Sequence, residues 1–274
     1  MKITVLTLFP NMINGFLQES IVKRAQEKGL VEIEVVDLKK FSQSSYGSID
    51  DKPYGGGAGM VMMVEPIVNA LKNSKLQIPN SKQTTPLRSS ASSELRRGRQ
   101  DKIILTSARG EVYSQQIAEE YSHLDHLVII AGHYEGVDER ITQYIDEEIS
   151  VGDFVMTGGE IPAAAIIDSV VRLIPGVLKK EEATADESFG EVLVSDLIKA
   201  VGQTDIIKNL QQKGIEKVRL LEYPHYSRPQ EFDGKQVPEV ITGGNHADIR
   251  AWRLQQSYNL TCAKRPDLFE KTGL

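Results

Sequence analysis

Apolar residues fall into two rhythms along the first half of this chain. The runs "ITVLTL" (3–8), "KIILTS" (102–107) and "HLVIIAG" (126–132) are nearly continuous, the pattern of strands buried on both faces. "VEIEVVDL" (31–38) alternates at its start, then turns apolar, and reads as another strand. Helical spacing lies between them. In "NMINGFLQESIVKRAQEKG" the apolar positions Met12, Phe16, Ile21 and Ala25 predict one helix, with Asn11 as its N-cap and Gly29 as its stop. "EPIVNALKNS" predicts a helix with Pro66 in its first turn, and "SQQIAEEYSHL" predicts another. Strands alternating with helices imply an α/β fold, a mostly parallel sheet with helices on both faces.

The rhythm changes after "EEISVGDFVMTGGE". An apolar helix begins at Ile161 and ends at Pro175–Gly176. The acidic "KKEEATADESFGE" (179–191) reads as a linker, and a helix-rich tail follows in which Asn245 caps a helix carrying Trp252 on its apolar side. Residues 78–101 are rich in Ser, Thr and Arg without periodicity and read as a flexible excursion. The expected organisation is a domain at 1–177, a linker with an insertion at 178–220, and a smaller helical C-terminal domain at 221–274.

Composition narrows the setting more than the chemistry. The 274 residues are 40% hydrophobic and 26% charged, ordinary for a soluble domain or two. No apolar run reaches the roughly 18–20 residues of a membrane span. The N-terminus enters a strand pattern without a signal-peptide layout, and the single cysteine, Cys262, excludes an internal disulfide; the expected compartment is the cytoplasm. A formal charge of −6 does not mark the whole surface as a nucleic-acid binder, although "LRSSASSELRRGR" (87–99) is locally basic.

Familiar motifs are missing. The glycine cluster in "DDKPYGGGAGMVMM" (50–63) lacks the "GK[ST]" ending of a phosphate-binding loop, and no G-x-G-x-x-G opens a helix. His123 and His126 are three apart, yet no H-E-x-x-H motif or cysteine cluster completes a metal site. The strand ends are richer. "TSARGE" (106–111), "AGHYEGVDER" (131–140) and "SVGDFVMTGGE" (150–160) are glycine-bearing loops at the carboxyl ends of strands, where parallel sheets bind ligands. Together they can enclose a flat ligand with backbone groups among apolar side chains.

Six motifs in order, "DDKPYGGGAGMVMM", "GHYEGVDER", "SVGDFVMTGGEIPA", "IDSVVRLIPGV", "EYPHYSRP" and "GGNHADIRAWR", resemble the bacterial tRNA (guanine-37-N1)-methyltransferase family over nearly the whole chain. The resemblance implies a trefoil-knotted SPOUT methyltransferase fold, a homodimer, S-adenosylmethionine as donor, a possible Mg2+ requirement, and tRNA carrying guanines 36 and 37 as substrate. It implies donor binding by Thr106, Ser107, Gly132, Glu135, Val151, Gly152, Asp153, Phe154, Val155, Met156, Gly158 and Gly159. Glu135 and Asp153 either meet the donor's sulfonium or amino group or pair with Arg140 or Arg109. Substrate contacts fall on Asp50, Gly55, Gly57 and Gly59, and on His225, Tyr226, Arg228, His246 and Arg250.

Methylation at guanine N1 needs a base for the N1 proton and a cation for charge growing on O6. The resemblance puts the cation at Arg172. The family has aspartate directly before "SF", but this chain reads "ADESF", so either Glu187 or Asp186 supplies the carboxylate. Other departures are Ala108 and Arg109 in "TSARG", where relatives have "SPQG", and the segment 190–218, an insertion between two motifs. The open alternatives are a relative acting on another RNA position and an RNA-binding relative with impaired catalysis.

Overall fold

The computed structural model describes residues 1–43, 47–73, 101–178 and 187–270. Two compact units divide the chain, Met1–Lys179 and Lys180–Leu274. The excursion expected at 78–101 and the basic run 87–99 lie almost entirely outside the described residues, as does the acidic stretch up to Asp186.

In the first unit the order is β1 (Lys2–Thr7), α1 (Pro10–Leu17), α2 (Ser20–Glu27), β2 (Glu32–Asp37), β3 (Asp50–Asp51), β4 (Val61–Met62), α3 (Val64–Asn73), β5 (Asp101–Val112), α4 (Gln115–Ser122), β6 (His126–Ala131), β7 (Glu147–Ser150) and α5 (Glu160–Val171). Five strands form a parallel sheet in the order β2-β1-β6-β5-β7. β6 is central and every residue of it is buried, which explains its unbroken apolar run.

Register sorts the side chains. Val5, Ile129 and Ile104 stand side by side across three strands and pack into one cluster with Ile13, Leu17, Ile166 and Val170. Their neighbours Leu6, Ile130 and Leu105 belong to the opposite cluster, with Met62, Ile67 and Leu71. Each such buried side chain contributes roughly 1.5–3 kcal/mol, so both faces of the sheet are covered by apolar layers.

Local chemistry sets the element ends. The single helix expected over 11–29 is broken in two. Pro10 occupies the first turn of α1, so Phe9 and not Asn11 is the cap residue, and Ser20 takes φ 51° where α2 begins. Gly29 stops α2 as expected. Its N–H bonds the Gln26 carbonyl and the Leu30 N–H bonds the Ala25 carbonyl, a paired closure that uses the glycine's φ of 67°. Ser114 caps α4 by accepting from the Ile117 N–H. Beyond Thr106, β5 leaves β7 and rejoins it at Glu111, throwing residues 107–110 outward as a loop.

The second unit contains β8 (Gly190–Leu193), α6 (Val194–Val201), α7 (Asp205–Gln212), β9 (Lys217–Leu220), β10 (Glu231–Phe232), β11 (Lys235–Gln236), α8 (Glu239–Thr242) and α9 (His246–Lys264). Its core joins Val194, Leu197, Ile207, Leu210, Val218 and Leu220 to Tyr258 and Phe269. Residues 190–220, expected as a linker and insertion, are therefore most of this core. The expectation failed because each helix is only eight residues long, and its apolar stripe gains a partner only when β8 pairs antiparallel with β9 and α6 meets α9. Thr204 joins the pieces, capping α7 and bonding the Tyr258 hydroxyl at 2.6 Å.

Leu197→Ala is expected to destabilise the second unit by about 2–5 kcal/mol, because Leu197 is fully buried there. Denaturant unfolding measures it. A loss below about 1 kcal/mol would return 190–220 to the status of a decoration.

Candidate active site

A cavity of about 470 Å³ opens at the carboxyl ends of β5, β6 and β7. Three loops wall it: Thr106–Arg109, Gly132–Glu139 and Ser150–Gly159. The loops are held together by backbone. The Gly159 N–H donates to the Gly132 carbonyl at 2.6 Å, and His133 pairs with Gly158 in an isolated antiparallel bridge. The Thr106 hydroxyl donates to the Ile130 carbonyl at 3.2 Å and accepts from the Gly132 N–H at 3.3 Å. A Cβ on Gly159 would strike that hydroxyl and come 2.7 Å from the Gly132 nitrogen. Only glycine permits so close an approach.

Two faces of the cavity differ in character. Phe154, Val155 and Met156 project from the Ser150–Gly159 loop and are exposed, Val155 at 94%. A sharp turn aims them outward, with the Phe154 N–H bonded to the Gly152 carbonyl at 2.9 Å and Gly152 at φ 145°. Opposite, the loop after β6 carries charge. Arg109 bridges Glu139 at 2.9 Å and Glu148 at 3.5 Å, and Arg140 bonds Asp138 at 2.9 and 2.6 Å, holding the Asp138 carboxyl below the usual carboxylate range. Both arginines thus pair with acids other than Glu135 and Asp153, and neither of those two has an ion pair among the described residues.

The glycine loop is tied to the cavity wall. β3 and β4 pair antiparallel, Asp50 opposite Met62, and close the loop at its base. The Glu135 N–H donates to the Met60 carbonyl at 3.1 Å, and the Met62 N–H to the Gly136 carbonyl at 2.9 Å. Gly59 adopts φ 87°, and a Cβ there would lie 2.5 Å from Glu135 Cγ. Partial burial, and secondarily the Asp50 charge, push the Tyr134 hydroxyl above the ordinary phenol range. Tyr54, at the loop tip, is fully exposed.

Of the residues expected to hold the donor, Thr106, Ser107, Gly132, Glu135, Val151, Gly152, Phe154, Val155, Met156, Gly158 and Gly159 all line this cavity. Asp153 does not; it is exposed on the turn beside it. Asp50, Gly55, Gly57 and Gly59 lie outside the lining, which the glycine hairpin reaches only through Val61. Arg172 caps the end of α5 and is also outside it. The reading from sequence missed Val137, Ile149 and Pro162 in the wall, and Glu160, which is fully buried at the start of α5. The "TGGE" run was the available signal, since a glutamate following two glycines at a helix start is polar where the pattern is apolar.

The second unit holds the remaining candidates. His225 bonds Glu222 at 2.6 Å, Tyr226 lies 6.3 Å from Trp252, and the Arg253 guanidinium stacks 4.7 Å over Tyr223. His246, Arg250 and Arg253 are exposed and recur at four- and three-residue steps along α9, which puts them on one face. Arg228 is exposed before Pro229. Glu187 begins the described part of this unit, and Asp186 lies outside the described residues.

A parallel α/β unit whose strand ends carry a glycine-walled cavity has the form of a small-molecule-binding domain, and a second unit with a basic aromatic face follows it in the chain. The chain belongs to the tRNA (Guanine-1)-methyltransferase TrmD family, whose model matches residues 1–271. It is 42% identical to a tRNA (guanine-N(1)-)-methyltransferase of Dictyoglomus turgidum, covering 100% of this chain and 92% of the relative. Enzymes of the same name from Carboxydothermus hydrogenoformans and Geobacillus kaustophilus are 43% and 41% identical, covering 100% of this chain and 89% and 93% of those proteins. No helix among the described residues is long and apolar enough to cross a membrane.

Gly159→Ala is expected to destabilise the first unit by about 1–3 kcal/mol, since the new methyl must displace Thr106 or part the Gly132 contact. Thermal or denaturant unfolding reads this, and a neutral result would show that the turn before α5 is free to move.

Proposed function

We propose that the chain transfers a methyl group from S-adenosylmethionine to N1 of guanine 37 in tRNA that also carries guanine 36. The observation that carries the reading is the cavity at the strand ends, lined by eleven of the twelve residues the family resemblance implies for the donor. The residues fit such a molecule. Gly132, Gly158 and Gly159 let the strand-end loops close on one another where a Cβ would crowd Thr106 and His133, and Phe154 and Met156 offer apolar surface to an adenine ring. When bound, S-adenosylmethionine supplies an electrophilic methyl carbon on a sulfonium.

The protein's share of the chemistry is proton removal and charge stabilisation. A carboxylate, Glu187 or Asp186, takes the N1 proton, so that the N1 lone pair can form the new N–C bond as the C–S bond breaks. Arg172 stabilises the negative charge that moves onto O6. The hairpin Asp50–Met62, with Gly55, Gly57 and Gly59 in its loop, shapes the place of the extruded guanine. The α9 face with His246 and Arg250, and the exposed His225, Tyr226 and Arg228, contacts the RNA through phosphates and stacking. This reading includes the trefoil-knotted SPOUT topology of the family. It also includes a homodimer, for which the exposed apolar Met12 and Ile161 offer surface. A tRNA substrate places the work in the cytoplasm. No group of three or more His, Cys, Asp or Glu among the described residues could hold a metal ion, so no step is assigned to Mg2+.

Methylation of a tRNA transcript with guanines at 36 and 37, followed by mapping of the modified nucleotide, tests the whole reading. N1-methylguanine at 37 is expected; a methyl group elsewhere, or donor binding without transfer, overturns it. Single-turnover rates should fall at least about 100-fold in one of Glu187→Gln and Asp186→Asn, and full rates in both would remove the carboxylate from the mechanism. Arg172→Ala should lose about 100-fold or more in the same assay with donor affinity within a few-fold of the wild type.

A further inference from the structure

The buried wall of the cavity holds an arrangement that the chemistry above does not use. Glu160 opens α5 and is fully buried. Its Oε1 accepts a 2.8 Å hydrogen bond from the Thr7 hydroxyl at the end of β1. Its Oε2 lies 3.4 Å from His133 Nδ1, and both of those atoms are buried without a hydrogen-bond partner. The imidazole itself is held firmly. Phe9 packs 4.7 Å from it, Tyr134 meets it edge-on at 5.0 Å, and its backbone is bridged to Gly158. A Cβ on Gly158 would collide with the imidazole and come 2.5 Å from Glu160 Oε2, so the donor-side turn rests directly on the pair.

A buried carboxylate oxygen needs a donor, and a carboxylate behind a histidine decides which ring nitrogen keeps the proton. Arg109 and Arg140 are engaged by Glu139, Glu148 and Asp138, which leaves His133 as the group that faces Glu160. We propose that Glu160 is a positioning residue that accepts a hydrogen bond from His133 Nδ1–H. The imidazole is thereby fixed in the tautomer whose Nε2 is an acceptor for an N–H of S-adenosylmethionine, on its adenine amino group or its ammonium group. A closure of a few tenths of an ångström turns the present 3.4 Å approach into that bond. The inference rests on the reading of this cavity as the donor site.

Full-length protein labelled with 15N at histidine reports the tautomer directly. Long-range 1H–15N spectra with saturating S-adenosylmethionine should show His133 protonated at Nδ1 and unprotonated at Nε2. Glu160→Gln, which can offer its own N–H to Nδ1, should change that pattern. It should also weaken S-adenosylmethionine binding by about tenfold in calorimetry, with the KM for tRNA unchanged. His133→Phe keeps the ring packing without the nitrogens and should lose affinity similarly, and the double variant should be no worse than either single one. An unprotonated Nδ1 in the wild type, unchanged donor affinity in both single variants, or additive losses overturns the proposal. If Glu160→Gln does not fold, the wild-type spectra and His133→Phe decide the matter. Failure of the underlying reading looks different: S-adenosylmethionine would then leave the backbone amides of Gly132 and Gly152 unshifted in the wild type.

Discussion

The 2.6 Å hydrogen bond from the Gly159 N–H to the Gly132 carbonyl is the contact on which the site depends. It draws the turn before α5 onto the end of β6, closer than any side chain would allow. From it follow the His133–Gly158 bridge, the burial of Glu160, and the outward course of the Ser150–Gly159 loop. The sheet makes the contact possible, because β6 is central and its register with β1 and β5 is set by apolar layers on both sides. Stability and chemistry therefore meet at two glycines. The core brings the strand ends together, and the absence of two side chains lets their backbones bond directly.

Charge around the cavity is paired so that specific groups stay available. Arg109 and Arg140 are taken up by Glu139, Glu148 and Asp138 on the same side of the molecule's strand ends. Glu135 has no ion pair among the described residues, and its backbone N–H anchors the glycine hairpin through the Met60 carbonyl. One loop thus serves two partners, the cavity on one side and the hairpin on the other. Gly59 is glycine because its φ of 87° strains any other residue; the exposed Glu135 side chain that a Cβ would meet can move aside.

The second unit shows how an exposed basic face is supported. α9 is long, but few of its residues are buried, and its anchor is Tyr258 and Thr261 against the layer built by α6, α7, β8 and β9. His246, Arg250 and Arg253 lie on the N-terminal half of α9, ahead of that anchor, and stay exposed, whereas Ser257, one step further along the same stripe, is buried. The basic character of the face is local, which reconciles it with a formal charge of −6 for the whole chain.

By itself the sequence determined the alternation of strands and helices, the two-sided burial of the sheet, the helix stop at Gly29 and the three glycine loops at strand ends. These features are written in short-range periodicity and in residues with unusual backbone freedom, so they are legible without knowing what lies nearby. Tertiary structure decided what depends on distant partners. The break between α1 and α2, where Ser20 takes φ 51°, is not visible in the helical spacing of 11–29, and the role of 190–220 appears only when eight-residue helices find α9. The buried pairing of Glu160 with Thr7 and its approach to His133 join residues 153 and 27 positions apart in the chain (160 − 7 and 160 − 133), a proximity that no local pattern encodes. Burial, and not residue type, turned an unremarked glutamate into the polar group behind His133 of the cavity wall.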